Sequence, residues 1–144
     1  SQALYELGLV EAIEELCDHL REKFTIEIGV EADEEIIPVP KKLRGTIYHS
    51  VRELLMNVVK HAEAETAAVR LSLVDHRLNI TVEDSGKGFQ VDLADETVTR
   101  KGGFGLFNIR EQIAYLGGSM DIRSILGDGT SIMLEVPLDE GGVD

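Results

Sequence analysis

The hydrophobic period of this chain changes near residue 62, and that change limits the possible folds more than any other feature. From Lys41 to Ala62 the apolar residues Leu43, Ile47, Val51, Leu54 and Val58 return at helical spacing, keeping one face apolar for more than five turns. Beyond it the period falls to two, in Val69-Arg70-Leu71-Ser72-Leu73 and again in Leu78-Asn79-Ile80-Thr81-Val82. A long amphipathic helix followed by a hairpin with one wet face needs a layered fold, because each apolar face must be covered by the other.

The remaining elements fit that plan. Leu9, Ile13, Leu16 and Leu20 predict an amphipathic helix from Leu9 to Phe24, with Cys17 packed beside its stripe as a small hydrophobe. Thr25 to Val30 and Ile36 to Val39 read as two short strands around the acidic turn Glu31 to Glu35, Pro38 and Pro40 favouring an edge. The hairpin of the two alternating runs turns through Asp75-His76-Arg77 and ends at Asp84. Ser85 to Gly103 keeps no apolar period and is too long for a plain connector, which marks a functional loop. A helix from Phe104 to Leu116 then leads through Gly117-Gly118 to strands Ser119 to Ile125 and Thr130 to Pro137, and the tail from Leu138 is expected to fray. The expected fold class is α/β (α+β), a two-layer sandwich with helices on one face of a mixed sheet, and all 144 residues form one domain.

Charge excludes some partners. With 27 acidic against 14 basic side chains the net charge is −13, which repels nucleic acid and anionic membrane alike. No run reaches the roughly 20 apolar residues of a membrane span, and one cysteine cannot form an internal disulfide, so a reducing cytoplasm is the expected setting. A chain that starts at Ser1 rather than Met is expected to be a fragment.

Four clusters carry chemistry. On the long helix, Glu53, Asn57 and Lys60 share a sector beside the apolar stripe, with His61 next to them. A carboxylate, an amide oxygen and a cation suit Mg²⁺ with phosphate, although the same spacing also describes an ordinary solvated face. In Asp84-Ser85-Gly86-Lys87-Gly88 a carboxylate at a strand end can accept a hydrogen bond from an exocyclic amine, and two glycines allow close approach to a flat base; a plain turn has the same composition. Gly102-Gly103-Phe104-Gly105-Leu106 opens a helix, where free N–H groups favour a phosphate chain. Gly127-Asp128-Gly129-Thr130 could be a simple hairpin turn.

Taken in order, Glu53-x-x-x-Asn57-x-x-Lys60-His61, Asp84-x-Gly86-x-Gly88, Gly103-x-Gly105-Leu106 and Gly127-x-Gly129-Thr130 resemble the N box and three glycine boxes of the GHKL ATPase superfamily. The segments Leu54 to Ala62 and Gly105 to Glu111 look most like sensor histidine kinases of the nitrate-sensor-like subfamily. The resemblance implies a Bergerat fold, in which helices pack on one face of a mixed, mostly antiparallel sheet and ATP lies beneath a mobile lid rather than on a Gly-x-x-x-x-Gly-Lys-Ser/Thr loop, a motif this chain lacks. By that similarity Asn57 ligates Mg²⁺, Glu53 holds a metal-bound water or assists transfer, Lys60 touches phosphate, and His61 belongs to the same nucleotide-binding box. Asp84 reads the adenine amine, Gly86 and Gly88 wall the pocket, Gly103 and Gly105 form the lid hinge and phosphate cradle, Leu106 is a further nucleotide-binding residue, and Thr130 shares the Asp84 network.

The implied activity is transfer of the γ-phosphate of MgATP to a histidine on a separate dimerisation and phosphoacceptor domain, which in turn serves a response regulator. His19, His49, His61 and His76 all lack the His-Asp or His-Glu context of a phosphoacceptor, and Leu4 to Leu9 resembles the segment that follows the phosphoacceptor helices. Residues 90 to 101 contain no phenylalanine, so the F box of many such kinases is missing and the lid, Phe89 to Phe104, should be short; Lys87 and Lys101 flank it. The alternatives are a serine kinase of the anti-sigma type and a nucleotide-binding module without catalysis.

Overall fold

A computed structural model describes residues 2–33, 37–90 and 105–138. The expectations placed on Glu34 to Ile36, on 91–104 (with Lys101, Gly102, Gly103 and Phe104) and on the tail beyond Leu138 lie outside the described residues. The chain forms helices α1 (Gln2–Glu6), α2 (Leu9–Lys23), α3 (Lys41–Asn57) and α4 (Leu106–Tyr115), with strands β1 (Glu27–Ala32), β2 (Thr66–Val74), β3 (Arg77–Asp84), β4 (Ser119–Ile125) and β5 (Gly129–Pro137). The sheet order is β1-β2-β3-β5-β4; β1 runs parallel to β2 and every other pair is antiparallel. This is the mixed, mostly antiparallel sheet that was expected. Among the described residues no helix is long and apolar enough to cross a membrane.

Alternation places Val69 and Leu71, Leu78, Ile80 and Val82, Ile122, and Ile132, Leu134 and Val136 on one face of the sheet, all buried. The helices cover that face with Leu9, Ile13, Leu16 and Leu20 from α2, Ile47, Val51, Leu54 and Leu55 from α3, and Leu106, Ile109 and Ile113 from α4. The other face is polar, where Arg70 pairs with Glu31 at 3.0 Å and with Glu83, and Arg77 pairs with Glu135 at 3.3 Å. Exposed pairs of this kind contribute at most about 1 kcal/mol each; they keep the face wet rather than hold the fold together. Cys17 is fully buried and its thiol is pushed up to about 11, mainly by desolvation, as befits a packed hydrophobe.

Two expectations need correction. Ile37 to Pro40 form no strand. Pro38 and Pro40 have no N–H to give a ladder, so Ile37 and Val39 plug the core from irregular chain while the Arg44 side chain donates to the Val39 carbonyl at 2.8 Å. β1 instead pairs with β2, α3 making the crossover between them.

The long helix is not α-helical to Ala62. It turns π-helical over Val58–Ala62, and Glu63 ends it in the left-handed region at φ 55°. At its end the Ala62 carbonyl accepts the Lys87 N–H at 2.8 Å, which ties the helix to the loop after β3.

Candidate functional site

The apolar inner face of the sheet ends in a polar row. Asp84 stands two residues after Val82 on β3, Thr130 two before Ile132 on β5, and Ser124 two after Ile122 on β4, so all three share the core-facing side. Strand register then lines them up, Asp84 opposite Thr130 and Thr130 opposite Ser124. The Gly86 N–H donates to Asp84 Oδ1 at 2.8 Å, and the Thr130 N–H also donates to that carboxylate. Burial pushes the Asp84 carboxyl above the usual aspartate range; the two backbone donors pull it back, but desolvation is the larger effect.

The loop after β3 is pinned at each step. Besides the Lys87 bond to Ala62, the Lys87 carbonyl accepts the Gly127 N–H at 2.7 Å and the Phe89 N–H donates to Ser124 Oγ at 2.8 Å. The glycines serve this packing. A Cβ on Gly86 would lie 2.2 Å from the Ala62 oxygen, and one on Gly88, which has φ +66°, 2.2 Å from the Ile125 oxygen. Sequence reasoning chose these glycines for approach to a base; the backbone contacts they make are with this chain, and Gly86 does not line the cavity described next.

Helix and strands enclose a cavity of about 110 Å³. Its apolar walls come from Leu54, Val58 and Ala62 on the helix, Val82 and Ile132 on the sheet, Phe89 on the loop and Leu106 on α4. Its polar groups are Asn57 and His61 from the helix, Asp84, Lys87 and Thr130, with Gly88 beside them. Six of the expected residues, Asn57, His61, Asp84, Gly88, Leu106 and Thr130, therefore meet in one space from four separate parts of the chain.

Lys60 does not join them; it is exposed. A turn bonded i to i+5 advances less per residue than the 3.6-residue α turn, so the residue one turn on from Asn57 that faces the cavity is His61. Glu53 stands one α-helical turn before Asn57 at the cavity's margin, paired with Arg52 at 3.6 Å. Its Oε1 lies 4.0 Å from where a Cβ on Gly105 would be. Gly105 takes the left-handed conformation at φ 67° and begins α4 without a side-chain cap. Lys87 lines the cavity while its ammonium pairs with Glu63 at 3.4 Å. Ser124 was missed by sequence reasoning, although the alternation Met120, Ile122, Ser124 places it on the inner face.

Comparison with known proteins agrees with this architecture. Residues 43–140 match the family described as histidine kinase-, DNA gyrase B-, and HSP90-like ATPase. The sensor histidine kinase LiaS of Bacillus subtilis is 32% identical over 131 residues, 91% of this chain and 34% of that protein. The chain thus spans about a third of that relative's length. Among solved structures, the blue-light activated histidine kinase of Erythrobacter litoralis EL346 superimposes with a TM-score of 0.78 at 24% identity, over 94% of this chain and 43% of that one. The catalytic domain of histidine kinase ThkA does so with a TM-score of 0.73 at 19% identity, covering 90% of both chains. At those identities the structures speak for the fold.

Proposed function

Because this chain belongs to the histidine kinase-, DNA gyrase B-, and HSP90-like ATPase family, we propose that it binds MgATP and presents the γ-phosphate to a histidine on a separate dimerisation and phosphoacceptor domain. The observation that carries this reading is the convergence of Asn57, Asp84, Gly88 and Thr130 on one small cavity. At about 110 Å³ it is small beside the ~300–1,000 Å³ of typical ligand pockets, so it suits the base and leaves the sugar and phosphates toward the helix ends. Asp84 accepts from the adenine amine, and apolar walls contact the two faces of the ring.

The phosphates then reach the start of α4, whose first N–H groups have no side-chain cap. Glu53 stands beside Gly105 there, and a carboxylate next to polyphosphate is repulsive unless a cation lies between them. The donor set fits Mg²⁺. Asn57 and Glu53 offer oxygens one helical turn apart, and no group of three His, Cys, Asp or Glu side chains among the described residues forms a cage, so the ion would be shared with phosphate. Mg²⁺ would neutralise charge as the phosphoryl group moves, Asn57 would ligate it, and Glu53 would orient a bound water. Gly103 would complete the phosphate cradle. In this reading the chain is one nucleotide-binding domain, soluble and cytoplasmic, of a two-component kinase whose phosphohistidine supplies a response regulator. Leu54 to Ala62 and Gly105 to Glu111 support the nitrate-sensor-like subfamily.

The test is incubation with radiolabelled ATP. The expected result is no stable label on the chain alone and slow labelling of a histidine when its separately made dimerisation domain is added. Histidine label on this chain alone would mean that the acceptor has been misplaced, and transfer to a serine of a partner would favour the anti-sigma type of kinase.

A further inference from the structure

Ser124 lies behind the cavity rather than in its lining, and nothing in the reading above uses it. Its hydroxyl oxygen has three neighbours at hydrogen-bonding distance: the Phe89 N–H at 2.8 Å, the Thr130 hydroxyl at 2.8 Å and the Gly129 carbonyl at 3.3 Å. A serine hydroxyl has one proton to give and two lone pairs with which to accept. The Phe89 N–H can only donate and the Gly129 carbonyl can only accept. All three bonds form together in one way alone, with Ser124 donating to Gly129 and accepting from both Phe89 and Thr130. The Thr130 proton is then committed to Ser124, and Thr130 Oγ1 retains lone pairs only.

We propose that Ser124 is a positioning residue that sets base selectivity by fixing the proton of Thr130. The inference rests on the reading of this cavity as the base site. Next to Thr130, Asp84 is also an acceptor when ionised, and its oxygens already take the N–H groups of Gly86 and Thr130. The polar end of the cavity therefore offers acceptors to whatever enters. An adenine amine complements them. A guanine carbonyl at the same ring position places lone pair against lone pair, which leaves buried acceptors without donors. Without the Ser124 hydroxyl, the Thr130 proton can turn into the cavity and meet that carbonyl, so Asp84 alone is left to favour the amine and the end of the site separates the two purines less sharply. The same change takes the Ser124 oxygen away from the Phe89 N–H.

The test is calorimetric titration of MgATP and MgGTP into the parent, Ser124→Ala, Ser124→Thr and Thr130→Val, with melting temperatures recorded alongside. The parent should prefer ATP. Ser124→Ala should narrow the ATP-to-GTP preference by about tenfold, the size expected for one hydrogen bond and its mismatch, and Ser124→Thr should restore it. Thr130→Val should narrow it similarly, and the double variant Ser124→Ala/Thr130→Val should be no less selective than either single one. Equal losses for both nucleotides in Ser124→Ala would reduce Ser124 to structural support and overturn the proposal, as would an unchanged preference. If Ser124→Ala does not fold, Thr130→Val decides, and parental selectivity there refutes it. A folded parent that binds neither nucleotide would refute the base-site reading itself, an outcome distinct from binding with selectivity independent of Ser124.

Discussion

Asp84 lines the cavity and Glu53 stands at its margin, and the two carboxylates are held in opposite ways. Asp84 is partly buried at a strand end, takes two backbone N–H groups and stands in a row with Thr130 and Ser124. The Glu53 side chain is 41% exposed and pairs with the similarly exposed Arg52. One end of the site has its geometry fixed by strand register, whereas the other has side chains on a helix margin facing the first turn of α4. The contrast teaches that the base end can discriminate through preformed hydrogen bonds, while the phosphate end depends on the ion and phosphates that would join Glu53, Asn57 and α4 together.

The sharpest way to break that contrast is at the phosphate end. Asn57→Ala should reduce phosphoryl transfer to the dimerisation domain by at least ~100-fold, since transfer depends on positioned charge, while Glu53→Gln should slow transfer and largely spare ATP affinity. Phosphohistidine formation measured beside calorimetric affinity separates the two, and a parental rate in Asn57→Ala would remove the metal role from this helix.

Next in size is the frame of the base end. Gly88→Ala forces a Cβ against the Ile125 carbonyl in a left-handed conformation and should cost about 2–4 kcal/mol of stability. Urea denaturation measures it; a loss under 1 kcal/mol would mean that the loop is not packed as described.

The frame was partly legible in the sequence. The alternating runs of β2, β3 and β5 and the stripe of α2 were readable because one side of each meets the core and the other meets water. The strand expected over Ile36 to Val39 was misread in its described part, because Ile37 and Val39 are buried without being a strand, the prolines withholding the ladder bonds. The π turn left no periodic trace, since it shifts the phase within a single turn; Lys60 therefore looked like a cavity residue and His61 is the one that lines it. Gly86 and Gly88 were recognisable as required glycines, but which surface they approach is a tertiary fact. Ser124 could have been found by extending the alternation one step.

Asp84→Asn should weaken adenine nucleotides by about 1–3 kcal/mol in calorimetry, because an acceptor is partly replaced by a donor facing an amine. Unchanged affinity would move base recognition elsewhere. Acid gives a smaller, graded version of the same change. Asp84 must be ionised to accept from the amine, and burial raises its pKa, so ATP affinity should be full above that pKa and fall up to about tenfold per pH unit below it. Fold stability runs the other way, because a raised carboxyl contributes stability in acid that is lost as pH rises through its folded pKa. Asp84→Asn should lack this component in both titrations.

Smallest is the effect of the π turn. His61→Ala should weaken ATP more than Lys60→Ala does, by under about 1 kcal/mol, since only His61 lines the cavity. The reverse order would indicate that the helix continues in α-helical phase when nucleotide is bound.

The central claim is that the cavity at the end of β3 and β5 receives the base of an adenine nucleotide. Calorimetric titration of MgATP and MgADP into the folded chain tests it most directly. Saturable binding of both nucleotides at one site per chain is the predicted result, and absence of binding by folded protein at millimolar ATP would contradict it.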